Sequence, residues 1–439
     1  MKPRTAAVSI LNQLNDNFFG YEKALEQFFR NNNFKSEDRN FINILVKGTI
    51  EQVAYLDFVI SNTYRGNFSN LEKIALNILR IGILQAKILK TPVHAYVNET
   101  VNVTKDLDAG RITGLVNGVL RHIISDKEIE KIYSKITPVK RLGLQYSFPK
   151  WMIEKWIKVF GEEDTIKLLE YYNSPSQIFF RVNPLRANIS TFFTLLKNKG
   201  YNITIHQEKP GIFFTIENPA KLIGSDLFRK GFVSVQDLSQ AFAVELLEPK
   251  EGETILDICA APGGKSTYIA QLTRNMGIIK SYDISHKKLK LLRDEMHRQE
   301  ITCIEAIEAN TAQKQLPQAD KILVDAPCTG TGVLGRKADL RWSRKPDDIL
   351  KTNKLQKEIL ANAAKALKPG GILVYSTCSI EIEENQSIIK AFLMDNPEFS
   401  VELANKIIDE KYCDDDGFVS ILPFKHQISG SFAVRLKKK

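Results

Sequence analysis

At 439 residues, with 43% hydrophobic and 26% charged residues, the chain reads as globular but too long for one ordinary core. Two or three domains are expected. No apolar run approaches the ~18 residues of a membrane span, and Met1-Lys2-Pro3-Arg4-Thr5 lacks a signal-peptide core, so a cytosolic protein without membrane attachment is expected.

The net charge of +10 is unevenly placed. Residues 1–140 carry 19 basic against 14 acidic side chains, residues 141–235 carry 13 against 8, and residues 236–439 carry 29 against 29. A basic front beside a neutral rear suggests a polyanion-binding region joined to a separate chemical domain; a lysine-rich solvated surface is the plainer alternative. The five cysteines (Cys259, Cys303, Cys328, Cys378, Cys413) are odd in number and lack a Cys-x-x-Cys pair, which argues against a disulfide framework or a zinc knuckle. The six histidines are equally scattered, and no metal site is expected.

Residues 1–135 read as an all-α domain. Apolar positions recur at helical spacing in Ala7-Ile10-Leu11-Leu14 and in Ile74-Ile78-Ile81, with turn signals at Arg65-Gly66-Asn67 and Thr91-Pro92. Asn98 and Asn117, set among apolar helical positions, are expected to satisfy neighbouring helix ends. Residues 136–235 read as linker helices and a small α+β unit. Trp151, Trp156 and Phe160 form a helical core stripe, Asn188 caps a helix over 192–199, and alternation marks strands over 201–206 and 212–216. From residue 236 to 439, strands and helices alternate as a parallel α/β sheet requires. The strands are 254–258, 278–282, 304–307, 321–324 and 372–375, and a last strand, 431–436, is expected antiparallel at an edge.

The chemistry gathers at the carboxyl ends of those strands. Cys259-Ala260-Ala261-Pro262-Gly263-Gly264-Lys265 joins a strand to a helix through small residues that let the backbone approach a ligand. It is not a phosphate-binding P-loop, because Cys259 stands where that motif needs glycine, and no G-x-G-x-x-G loop is present. Asp283 ends the second strand, where a carboxylate suits a ribose diol but also where any α/β domain offers an acid. A ribose site without a phosphate cradle points to a nucleoside ligand such as S-adenosylmethionine, with Asn310 placed near the adenine. The fourth strand delivers Asp325-Ala326-Pro327-Cys328, and the fifth delivers Ser376-Thr377-Cys378. Alone, Cys378 reads as a small core residue. Two thiols and an acid at one edge suit attack on C6 of a pyrimidine, which turns the unreactive C5 into a nucleophile.

Three stretches carry a family resemblance: Asp-x-Cys-Ala-Ala-Pro-Gly-Gly-Lys at 257–265, Asp-Ala-Pro-Cys-x-Gly-x-Gly at 325–332, and Tyr-Ser-Thr-Cys-Ser at 375–379. They resemble the Sun family of RNA (cytosine-5)-methyltransferases, and Val116-Asn117-Gly118-Val119-Leu120-Arg121 resembles the NusB RNA-binding bundle. The resemblance implies a NusB-like helical domain, a small α+β RNA-binding subdomain and a Rossmann-like class I methyltransferase domain. It assigns the attacking thiol to Cys378 and the assisting thiol to Cys328. S-adenosylmethionine is placed on Cys259 through Lys265, Asp283, Asn310 and Asp325, without a metal. The implied partner is a single-stranded or flipped cytosine of 16S ribosomal RNA; a monomer is expected. The family commonly has aspartate at the Asn310 position, and its closing motif reads here as Ser429-Gly430-Ser431-Phe432. The Gln236-Asp237-Leu238-Ser239-Gln240 stretch is also a variant of the family's pattern. Arg341, in the Arg341-Trp342 pair, could meet an RNA phosphate or make a surface ion pair. A non-catalytic assembly factor and a methyltransferase of transfer RNA remain the alternatives.

Overall fold

The computed structural model describes residues 1–206 and 212–439. They divide into two compact units, one of Met1–Ser174 with Leu334–Lys345, the other of Pro175–Val333 with Pro346–Lys439. Among the described residues no helix is long and apolar enough to cross a membrane.

The first unit is helical throughout, from Pro3–Gln13 to Glu162–Asn173. Its core takes the stripes read from the sequence: Ala7, Ile10, Leu11, Ile78 and Ile81 are fully buried. At roughly 1.5–3 kcal/mol per buried large aliphatic side chain, these stripes decide which face turns inward. The helix Asp126–Tyr133 starts in a capping box between Ser125 and Glu128. Asn98 and Asn117 depart from expectation. Asn98 is exposed, and Asn117 accepts a hydrogen bond from Arg121 of its own helix at 2.9 Å. The buried polar contacts fall to Asn77, which donates to Asn12 at 2.8 Å, and to Gln85, which donates to the Ile81 carbonyl at 3.1 Å.

Arg341 also departs from expectation. It is fully buried in this unit, donating to the Tyr172 carbonyl (2.7 Å), Asn173 Oδ1 (2.7 Å) and the Glu51 carbonyl (3.2 Å). Its guanidinium lies 4.1 Å from the centre of the Phe148 ring. A group so enclosed meets neither a phosphate nor a surface carboxylate.

The second unit holds two sheets. Strands β1 (Phe180–Val182), β2 (Ile203–His206), β3 (Phe213–Ile216) and β4 (Val233–Val235) form an antiparallel sheet in the order β2-β3-β1-β4. The helix Ile189–Asn198, capped by Asn188, packs phenylalanines against it. The larger sheet contains β5 (Thr254–Ile258), β6 (Ile278–Asp283), β7 (Ile304–Glu308), β8 (Ala319–Asp325), β9 (Leu367–Thr377), β10 (Phe399–Glu402), β11 (Val419–Ile421) and β12 (Ser431–Lys438). Its order is β10-β12-β9-β8-β5-β6-β7, with β11 also paired to β12. Strands β5 to β9 are parallel, and alternate residues face opposite layers: Ile255, Leu323 and Val374 enter one core, Leu256, Val324 and Tyr375 the other.

The last strand is antiparallel as expected, but it is not an edge. β10 and β11 cover its outer side. These segments, of four and three residues, are too short to show a period, so the sequence concealed them. The order reverses direction at β5, which stands between β6 and β8, and such a switch point opens a crevice at the carboxyl edge.

Candidate active site

Each predicted site residue sits at the carboxyl end of a parallel strand, in the loop that follows or at the start of the next helix. After β5, Cys259 adopts φ 63° and Gly263 adopts φ 108°, so the chain turns sharply before the helix Gly264–Leu272. A Cβ on Gly263 would meet Leu292 Cδ1 at 2.4 Å, which explains glycine there. Cys259, Ala260, Ala261, Pro262 and Gly263 thus form one turn, and Gly264 and Lys265 open the helix. Asp257, just before it, is fully buried and accepts from Ser266 Oγ at 2.5 Å, while its Oδ1 has no hydrogen-bond partner. Burial pushes its carboxyl up to about 7, against the pull of the Ser266 bond.

Asp283 closes β6. One oxygen accepts from the Ala261 amide at 3.2 Å and the other from the Ser285 amide at 2.8 Å, so the acid holds the β5 turn and the β6 turn together. Each oxygen keeps a further lone pair, which suits a diol. Asn310, past β7, is exposed, and its Oδ1 accepts from the Ala312 amide at 3.2 Å. Asp325, at the end of β8, pairs with Lys265 Nζ at 2.6 Å and accepts from Ser376 Oγ at 3.0 Å. Lys265 also donates to Gln240 Oε1.

The two predicted thiols meet. Cys328 Sγ and Cys378 Sγ lie 3.3 Å apart, although 50 residues separate them in sequence. When the pair loses one proton, the surrounding charges decide which sulfur carries the negative charge. The bond from Cys328 draws the Cys378 thiol down, and the Lys265 ammonium adds to that, against burial and Asp325. The same bond, burial and Glu384 push Cys328 up. Burial raises the other thiols, Cys259 to about 12 and Cys303 and Cys413 to about 11. Among the five cysteines, only Cys378 is poised toward a thiolate.

Several further residues support this pair; sequence reasoning missed Glu384, whereas Gly332 and Gly430 lie in motifs it singled out. Glu384 is fully buried and holds the Cys328 loop; nothing in its sequence context distinguishes it from the exposed Glu383 that it follows. Arg181 is also fully buried, donating to Gln271 Oε1 (3.0 Å), Thr267 Oγ1 (3.1 Å) and the Gly264 carbonyl (3.1 Å). It therefore fastens the small sheet to the helix that follows the Cys259–Gly263 turn. Gly332 and Gly430 approach so closely that a Cβ on Gly332 would lie 2.4 Å from the Gly430 carbonyl oxygen. Through this contact Gly430 donates to the Gly332 carbonyl at 2.8 Å, and Gly332 donates to the Cys378 carbonyl at 3.0 Å. The variant closing motif therefore buttresses the Cys378 backbone through main-chain atoms.

Comparisons with known proteins agree with this architecture. The family described as 16S rRNA methyltransferase RsmB/F matches residues 244–437, the NusB family matches residues 1–125, and a ferredoxin-like domain of RsmF/B-like methyltransferases matches residues 148–219. The probable ribosomal RNA small subunit methyltransferase B of Bacillus subtilis is 33% identical, over 99% of this chain and 98% of its own. The ribosomal RNA small subunit methyltransferase B of Vibrio cholerae is 32% identical, over 91% of this chain and 90% of its own. The crystal structure of PH0851 is 25% identical, covers 100% of this chain and 99% of its own, and superposes with a TM-score of 0.81.

Proposed function

Because the chain belongs to the ribosomal RNA small subunit methyltransferase B family, we propose that it methylates C5 of a cytosine in 16S ribosomal RNA through a covalent bond from Cys378. The observation that carries this reading is the thiol pair, two sulfurs 3.3 Å apart at the carboxyl edge beside Asp325 and Lys265. S-adenosylmethionine, when bound, supplies the electrophilic methyl group. The residues suited to hold it are the Cys259–Lys265 stretch, Asp283 for the ribose diol, Asn310 for the adenine, and Asp325. The lone pairs left on Asp283 and the lack of a phosphate cradle fit a nucleoside rather than a nucleotide.

The Cys378 thiolate adds to C6 of the cytosine, which places electron density on C5. After C5 has gained its methyl group, it loses its proton to a base and the C6–sulfur bond breaks, restoring the aromatic ring and the thiolate. Cys328, hydrogen-bonded to that sulfur, assists this release. Lys265 and Asp325 set the charge around the pair. A stacked base cannot reach a thiol at a sheet edge, so the target is single-stranded or flipped. The basic residues of 1–235 would grip the RNA backbone, with 1–135 and the small α+β part of 136–235 serving binding and 236–439 serving chemistry. We place this reaction in the cytosol, on a monomer.

The test is transfer of labelled methyl groups from S-adenosylmethionine to 16S ribosomal RNA fragments, with transfer RNA as the comparison. Cys378→Ala should abolish both methylation and covalent adduct. Cys328→Ala should accumulate a protein–RNA adduct that survives denaturation. An adduct that persists in Cys378→Ala would reverse the two roles.

A further inference from the structure

The most enclosed carboxylate beside the thiols is Glu384, and the mechanism above does not use it. It is fully buried and has no cationic partner among the described residues. Instead it accepts four hydrogen bonds. Oε1 takes the Thr329 amide (2.9 Å), the Thr352 hydroxyl (2.6 Å) and Gln356 Nε2 (3.3 Å), and Oε2 takes the Thr329 hydroxyl (2.5 Å). Gln356 Nε2 also donates to the Pro327 carbonyl at 2.9 Å. The peptides on both sides of Cys328 are therefore held, one by Glu384 directly and one through Gln356. The Glu384 carbonyl in turn accepts from the Tyr375 hydroxyl at 2.7 Å, which ties the brace to β9, the strand that delivers Cys378.

We propose that Glu384 is a positioning residue for release of the enzyme from RNA, holding the Cys328 thiol against Cys378. This rests on the thiol roles proposed above. A buried carboxylate without a cation is costly unless its lone pairs are filled, and here all four donors come from the Cys328 loop and the helix Pro346–Ala366 behind it. Its charge also belongs to the set that faces the thiols, together with Lys265, Asp325 and Tyr375. Removing it should ease thiol ionisation.

The experiment compares Glu384→Ala and Glu384→Gln in the full chain, with S-adenosylmethionine and a 16S ribosomal RNA fragment. Methyl transfer, denaturation-resistant adduct and the pH profile of adduct formation are measured, with melting curves alongside. Glu384→Ala should slow turnover by about 100-fold, the usual effect of a misplaced group, while adduct accumulates as in Cys328→Ala. Glu384→Gln preserves the shape and most of the bonds but not the charge. It should keep turnover within about tenfold, on the same scale of effects, and move the acid limb of adduct formation to lower pH. A folded Glu384→Ala that turns over normally, or that loses the adduct altogether, overturns the proposal. If Glu384→Ala does not fold, Glu384→Gln decides: an unmoved pH profile overturns it. Cys378→Ala run in parallel separates the two readings, because an adduct there refutes the thiol assignment itself.

Discussion

Asp257 offers a stability measurement independent of activity. Its carboxyl is raised from the ordinary 3.8 to about 7, chiefly by burial, with Asp325 and Asp283 adding to the effect and the Ser266 bond and Lys265 opposing it. A raised carboxyl binds its proton more tightly in the folded state than in the unfolded one. Its contribution to stability is therefore complete below about pH 4 and is lost as pH rises toward 7. At 1.36 kcal/mol per pH unit, a rise of about 3 units sets an upper bound on the order of 4 kcal/mol. Asp257→Asn keeps an acceptor for Ser266 Oγ and does not titrate. Urea unfolding of both proteins from pH 4.5 to pH 8 isolates the term, since other groups titrate alike in the two. The variant should gain on the wild type steadily from pH 4.5 to about pH 7, and the difference should level off above that. A difference that stays constant with pH would refute the reasoning and imply that Asp257 is ionised in its bond with Ser266.

Much of this was legible because local rules and tertiary demands agree. The parallel strands are short apolar runs ending in Asp257, Asp283, Asp325 and Ser376, and an open α/β sheet gathers such ends along one edge. The helical front was legible from period alone. What stayed hidden depends on partners distant in sequence. Arg341 looks like a surface cation until Tyr172, Asn173 and Glu51 supply its acceptors, and Glu384 looks like a solvated acid until Thr329, Thr352 and Gln356 enclose it. Strands β10 and β11 escaped because so few residues carry no period. The error over Asn98 and Asn117 has the opposite cause. Apolar neighbours in sequence do not make a polar residue face inward, because a helix turning 100° per residue carries Asn98 to solvent and leaves Asn117 half-buried.

Two further substitutions test the supports of the site and of the helical unit. Gly332→Ala brings a methyl group to 2.4 Å from the Gly430 carbonyl oxygen and 2.8 Å from that of Cys378, both of them backbone atoms, so the Cys378 loop must shift. Adduct formation should fall by about 100-fold, whereas Gly114→Ala, which meets open space in a helix, should leave it unchanged and gain up to about 1 kcal/mol of stability. Arg341→Ala removes the donors for two carbonyls and Asn173 Oδ1 and opens a cavity beside Phe148, which should cost about 3–5 kcal/mol in unfolding measurements. Its decisive readout is the salt dependence of RNA binding, measured at a temperature where the variant is folded. A phosphate contact would lower the slope of log K against log salt by about 1, and a buried strut would leave it unchanged. Because every donated bond of this guanidinium ends on the protein's own oxygens, the slope should stay as in the wild type, and a drop of about one would return Arg341 to the RNA surface.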